Sequence, residues 1–426
     1  MRGQNRWSGS GSYRIVVVGL LRVTLAALVL SAPAVIGDWR SGSHRDGGLL
    51  AAGTAEVSHQ HYHQAMADFR NAAAAGNGTA IYDVGWLYYH GYGVPQDYAK
   101  AMAWWRKAAT TGVGLAMLNI GVLYYHGEGV PQDYAEAMAW YRKAAATGHG
   151  KAMVNIGVLY YQGDGVPQDY AKAMAWYRKA AAKGVSAAMY NIGVLFEDGQ
   201  GAPEDYVKAM AWYRKAAAKG FGAAMLNIGV LYARGLAVPK DYAKALAWYY
   251  KAAATGNGMA MRDIAVSYRR GDGVPQDYAK ARAWFRKAAR KGDGAAMYNI
   301  GLFYARGQGV PIDYAKAMEW FRMGAASGNG SAMFSIGILY GRGDGMPQDY
   351  AKAMAWYRKA AAKGNGRAMY NIAFLYTNGQ GVPQDYAKAT EWLRKAEVSG
   401  DPIAVAAAKK LIAKIRQAHV AQNGGQ

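Results

Sequence analysis

Four arginines, Arg234, Arg270, Arg306 and Arg342, recur at intervals of 36 residues, and Arg269 stands beside the second of them. A guanidinium is a planar fork of donors that matches a carboxylate or a phosphate, so such a row could grip an acidic chain at regular intervals. Earlier in the chain the same places hold His90, His126, Gln162 and the pair Glu197 and Asp198, so the row changes sign halfway. A plainer account is that cations suit the C-terminal end of a helix dipole. A second row at the same interval reads Tyr82, Leu118, Val154, Tyr190, Leu226, Arg262, Tyr298, Phe334 and Tyr370. Beside it run Asp83, Asn119, Asn155, Asn191, Asn227, Asp263, Asn299 and Asn371. Rings with carboxamides suit an extended peptide: asparagine both donates to and accepts from a main chain, and tyrosine gives rigid contact area at little entropic cost. The same residues would serve equally as packing between adjacent helices, with each asparagine bonded to the next copy.

Other patterns stop short of chemistry. The repeated G-x-G loops follow helices and contain valine and proline, so they lack the strand-turn-helix context of a phosphate cradle. His59, His61 and His63 alternate, and on a helix only the first and last would share a face, with no acidic or cysteine partner near them. The recurring Asp97, Asp133 and Asp169 are explained as helix caps, and no Ser-His-Asp or paired-carboxylate arrangement stands out. The expectation is therefore no catalytic residue, no metal and no cofactor.

The period itself points to the elements that hold these rows. Nine prolines from Pro95 to Pro383 and nine tryptophans from Trp104 to Trp392 keep the 36-residue step. That means one supersecondary unit copied many times, each copy burying its apolar face on its neighbours. In the copy from Leu115 to Gly150, Ala116, Ile120, Leu123 and Tyr124 share one stripe of a first helix, which Gly127 ends. Pro131 cannot continue it, and Asp133 caps a second helix carrying Tyr134, Ala137, Met138, Trp140, Tyr141, Ala144 and Ala145. Helix, loop, helix and turn use up the period, so no strand is needed. Mid-helix glycines such as Gly121, Gly157 and Gly193 mark close approach of two helices, with the recurring tryptophan and tyrosines filling the gaps. On that reading Trp212→Ala costs about 3–5 kcal/mol. The positions that vary between copies, 115, 118, 122, 125 and 126 in the numbering of the second, form a different stripe of the first helix and would line a continuous groove.

The string from Ala116 to Ala145, with glycine, tyrosine, G-x-G-V-P-x-D and K-A-x-x-W-Y-x-K-A-A in that order, resembles the Sel1-like repeat, a relative of the tetratricopeptide repeat. The resemblance covers about residues 57–400. It implies a right-handed superhelix of antiparallel helix pairs that scaffolds protein partners, often in bacterial envelope or secretory settings and in an endoplasmic-reticulum degradation complex. The chain departs from the pattern at Ala265 and Ala373, which replace the mid-helix glycine, at Ala237, which replaces the second loop glycine, and at Met323 and Gly324, where lysine and alanine are usual. Those copies are expected to bend slightly or pack less regularly.

The ends follow from the register. Tyr62 to Ala75 aligns with a second helix lacking its first, and Asp401 and Pro402 open a closing helix, Ile403 to about His419, which carries Lys409, Lys410, Lys414 and Arg416. The fold expected is all-α: a right-handed superhelical α/α solenoid of nine full 36-residue helix pairs, an N-terminal half repeat and a C-terminal capping helix, spanning 57–400 and 401–426. Residues 1–37 read as a secretory signal, with Arg2, Arg6 and Arg14 before the apolar run from Ile15 to Leu30 and small residues after it. The competing reading is an uncleaved inner-membrane anchor over residues 15–37, which Arg22 and Pro33 weaken. Residues 38–56 read as a flexible linker. Removing the four arginines of 1–37 takes the net charge from +22 to +18, still strongly basic. Cysteine is absent, so disulfide and thiolate chemistry are excluded.

Together these point to a non-enzymatic scaffold, periplasmic or secreted, that binds a protein partner in a groove. The partner-binding residues expected are Tyr82, Asn119, Asn155, Tyr190, Asn191, Asn227, Tyr298, Asn299, Phe334 and Tyr370, with Arg234, Arg269, Arg270, Arg306 and Arg342 meeting an acidic segment. A polyanion binder, taking envelope polysaccharide or nucleic acid, is the alternative, separable by its steep salt dependence, and a hydrolase is a distant third.

Overall fold

A computed structural model describes residues 61–423; the expected signal or anchor, the linker and His59 lie outside the described residues. Twenty helices follow one another, and among the described residues there is no strand. They are α1 (His61–Ala74), α2 (Gly78–His90), α3 (Tyr98–Thr110), α4 (Gly114–His126), α5 (Tyr134–Ala146), α6 (Gly150–Gln162), α7 (Tyr170–Ala182), α8 (Ser186–Glu197), α9 (Tyr206–Ala218), α10 (Gly222–Arg234), α11 (Tyr242–Ala254), α12 (Gly258–Arg270), α13 (Tyr278–Arg290), α14 (Gly294–Arg306), α15 (Tyr314–Ala326), α16 (Gly330–Arg342), α17 (Tyr350–Ala362), α18 (Gly366–Asn378), α19 (Tyr386–Glu397) and α20 (Pro402–Asn423). Even-numbered helices from α2 to α18 are the first members of nine tandem pairs, and odd-numbered helices from α3 to α19 are the second members. Helix α1 is the expected half repeat. The closing helix α20 is longer than expected, running to Asn423. The chain forms two compact units, described separately below: an N-terminal one to Ala224 with Leu236–Val238, and a C-terminal one of Met225–Gly235 and the residues from Pro239 on.

Each copy starts and stops its helices by the same chemistry. Asp169 takes an extended conformation before α7 and accepts from the Lys172 amide at 2.8 Å, satisfying one of the free donors of the first turn. At the end of α4, Gly127 adopts φ +72°, a left-handed cap that costs a side-chain-bearing residue but not glycine. A further lock was not evident in the sequence. The Gln132 side-chain amide donates to the Tyr125 carbonyl at 2.8 Å, tying the loop back to the last turn of α4, and Gln96, Gln168, Gln276, Gln348 and Gln384 repeat it.

Packing within a pair explains the mid-helix glycines, with one correction. A Cβ on Gly193 would lie 2.5 Å from the Tyr213 ring, and one on Gly121 would lie 2.5 Å from the Tyr141 ring. The filler is thus the residue after the recurring tryptophan. Tyr213 is fully buried, whereas Trp212 is half-exposed, its outer face covered by the Lys215 ammonium 4.0 Å from the ring centroid. The same lysine lies over the ring at Trp140, Trp176, Trp248, Trp284 and Trp356. The cost assigned above to Trp212 therefore belongs to Tyr213. The second loop glycine joins consecutive copies: at Gly165 the backbone has φ +66°, and a Cβ would lie 2.5 Å from Tyr134 Cβ of the preceding copy. Ala237, at the equivalent place, holds the left-handed conformation at φ +64° without glycine's freedom.

Candidate partner-docking face

The stripe expected to line a groove lies on the first helices, and its two halves differ. In the N-terminal unit it is closed. Tyr82 is 2 % exposed, its carbonyl accepts from Trp105 Nε1 at 3.1 Å, and its hydroxyl accepts from Asn119 Nδ2 of the next copy at 3.0 Å. Tyr190 is buried among Tyr213 and Phe221, with ring centroids 5.6 and 5.3 Å away. Asn155 and Asn191 are buried and face the Tyr141 and Tyr177 hydroxyls, close enough to oppose the rise that burial imposes on those phenols. Tyr82, Asn155, Tyr190 and Asn191 thus present packed interiors instead of an open surface, because each is covered by its own pair or the next copy. Asn119 is half-buried and already engaged.

In the C-terminal unit the stripe is more open. Tyr298, Asn299, Phe334 and Tyr370 are half-buried, as is Asn227. The Tyr298 and Phe334 rings still rest on their own second helix, 5.9 Å from Phe321 and 5.8 Å from Tyr357. Arg234, Arg270, Arg306 and Arg342 are exposed in the last turns of α10, α12, α14 and α16. Arg269 reaches across one copy to donate to Asn299 Oδ1 at 3.0 Å. Arg262 pairs with Asp293 at 3.1 Å and lies 3.7 Å from Asp263.

Electrostatics divide the two units in the same way. Burial pushes the Tyr298 hydroxyl up, and Arg306, Arg367 and Arg269 oppose that rise, so three cations act on one phenol. Burial raises Tyr357 to about 12, against the pull of Asn371 and Arg342. Asp263 is pushed up to about 6 by burial, with Arg262 holding it back. In the N-terminal unit carboxylates take the hydroxyls instead: Tyr89 donates to Glu128 at 2.9 Å, Tyr125 to Asp164 at 3.0 Å, and Tyr213 to Glu197. Burial lowers His90, whose ring stacks on Tyr92. Asp83 is 2 % exposed, neither of its carboxylate oxygens has a hydrogen-bond partner, and burial raises it to about 7. Among the described residues no group of three or more His, Asp or Glu side chains could hold a metal ion. No described helix is long and apolar enough to cross a membrane.

Sequence reasoning placed the rows correctly on one helix of each pair and missed Asp83 as distinct from its asparagine counterparts. The signal was present: a carboxylate among carboxamides at a position that packs inward.

The Sel1 repeat pattern matches residues 78–112, 114–149, 150–185, 186–221, 222–257, 258–293, 294–329, 330–365 and 366–397. No curated protein matches the sequence. Among solved structures, the chain is similar to a protective antigen present in uropathogenic Escherichia coli strains and displaying an SLR fold, at 33% identity over 78% of this chain and 79% of that one, with a TM-score of 0.56. It is likewise similar to a Sel1 repeat protein from Oxalobacter formigenes, at 33% identity over 57% of this chain and 96% of that one, with a TM-score of 0.51.

Proposed function

The chain belongs to the Sel1 repeat family, and from that premise we propose that it is a non-enzymatic scaffold, exported to the bacterial envelope or beyond, that docks an acidic segment of a protein partner on its C-terminal unit. The segment lies along Arg270, Arg306 and Arg342 and against the half-buried Tyr298, Phe334 and Tyr370. One observation carries this reading: the stripe whose rings are buried at Tyr82 and Tyr190 in the N-terminal unit is only half-buried at Tyr298, Phe334 and Tyr370 here, beside a row of exposed guanidinium groups. A flat row of rings supplies contact area, and the arginines supply register. The similarity to a protective antigen supports an exported setting.

The test is capture of partners from periplasmic and secreted fractions with the wild-type chain and with Arg270, Arg306 and Arg342 changed together to glutamate. Loss of the partners recovered by the wild type is expected, while Tyr298→Ala weakens capture without changing its salt dependence. Unchanged capture by the triple variant would remove the reading. The net charge of +22 favours a second reading, a polyanion binder. Its signature is affinity for heparin or an acidic polysaccharide that collapses between low and moderate salt.

A further inference from the structure

We propose that the N-terminal unit binds an acidic polysaccharide, one built from uronic-acid sugars, along the exposed face of its second helices; this rests on the polyanion reading above and gives it a site. Trp140 on α5, Trp176 on α7 and Trp212 on α9 hold the same place in successive copies and are half-exposed. Over each ring lies the ammonium of the exposed Lys143, Lys179 or Lys215, at 4.1, 4.3 and 4.0 Å from the centroid. The space against the mid-helix glycine is filled by the next residue of each helix, Tyr141, Tyr177 or Tyr213, so the indole is left partly in water.

Two properties of this face select the ligand. The first is charge. Glu136 is the only acid within these three helices, and the capping Asp169 and Asp205 are met by Lys172 and Lys208 at 3.1 and 3.0 Å. Ala139, Ala175 and Ala211, exposed one residue before each indole, leave the surface low beside the rings. In the C-terminal unit the pattern is interrupted: Met323 replaces the lysine that follows Trp320, Glu319 and Glu391 replace the alanine, and Lys395 pairs with Glu391 at 2.6 Å. The second property is a ring covered by a cation on a flexible stem. A carboxylate draws the ammonium away, because a charge-assisted hydrogen bond is stronger than a solvent-exposed cation–π contact. The ring face so uncovered is apolar and carries the negative side of the quadrupole, which suits the polarised C–H face of a pyranose. A sugar acid brings both groups on one residue, whereas an acidic peptide lacks the flat C–H face. Packed helix axes stand no closer than about 8–10 Å, so these indoles are too widely spaced for bases stacked about 3.4 Å apart. A stiff sugar chain reaches from ring to ring.

The test is titration of the full-length chain, at one fixed low salt, with polygalacturonate. Dextran is the uncharged sugar, polyglutamate the charged chain without sugar rings, and poly(dT) the nucleic acid. Polygalacturonate is expected to bind and to shield indole fluorescence from acrylamide, while polyglutamate binds at least tenfold more weakly and gives no shielding. Changing Trp140, Trp176 and Trp212 together to leucine weakens polygalacturonate at least tenfold and leaves polyglutamate within twofold, with circular dichroism checking that the variant is folded. Lys143→Met, Lys179→Met and Lys215→Met together weaken polygalacturonate likewise, a replacement the repeat already carries at Met323. Polygalacturonate binding that no indole senses, or that survives the leucine variant, would overturn the site, as would equal binding of dextran or tighter, tryptophan-dependent binding of poly(dT). Failure of every polyanion to bind would remove the polyanion reading together with it. Charge reversal at Arg270, Arg306 and Arg342 leaves the shielding in place, so this face stands or falls separately from the C-terminal one.

Discussion

Asp83 shows how one atom's difference between neighbouring copies changes the energetics of a fold. Its carboxyl sits at about 7 in the folded chain, above the ordinary carboxylate value, so folding is favoured while the group is protonated in both states. That contribution is complete below about pH 4 and is lost as the pH rises through 7, at roughly 1.4 kcal/mol for each unit separating the folded from the unfolded value. Asp83→Asn is therefore expected to raise the melting temperature at pH 8 and to change it little at pH 4, read by thermal melts followed by circular dichroism. A second expectation concerns the aromatic pair in α9. Tyr213 is buried against Gly193, and Tyr213→Ala should cost about 3–5 kcal/mol. Trp212→Ala should cost clearly less, because that ring is half-exposed and loses mainly its cation–π contact with Lys215. Chemical denaturation of the two variants separates them. The period alone could not tell these neighbours apart: both recur every 36 residues, and only the helix phase decides which one faces the glycine.

At the scale of the element, most of the architecture was legible. The aspartate before each second helix, the glycine after each first helix, the half repeat and the closing helix all follow from local rules that need no tertiary knowledge. Two features were not. The glutamine lock acts between a side chain and a carbonyl seven residues back, a distance at which hydropathy carries no signal. The covering of Tyr82, Asn155, Tyr190 and Asn191 depends on how tightly consecutive first helices approach, which a stripe on one helix does not encode. The loop at Ala237 offers a direct check on the strained joint. Ala237→Gly should stabilise by about 1 kcal/mol, since the left-handed backbone there is held by an alanine. Gly165→Ala should destabilise, having both φ +66° and the Tyr134 Cβ in its way. Paired denaturation curves of the two variants decide this, and a stabilising Gly165→Ala would contradict the account.

For the whole molecule, the binding of each copy to its neighbours makes stability a sum of local interfaces, so damage should stay local. Helix α20 covers the end of the array with Ala404, Ala408 and Ile415 buried and Lys409, Lys410, Lys414 and Arg416 exposed. Truncation after Gly400 should expose the flank of α19 and raise amide hydrogen exchange in α18 and α19, leaving α2 to α6 as protected as before. Protection lost evenly along the chain would refute a nearest-neighbour description. The loop glycine that touches the tyrosine one copy back has a consequence for heredity as well as for folding. Apart from the joint at Ala237, each seam is built from the same loop glycine and tyrosine, so deleting residues 151–186 rejoins Gly150 to Ala187 and recreates the junction it removes. The array can be shortened or lengthened by whole modules without inventing a new joint, and recombination can adjust its reach as one adjusts a chain by its links.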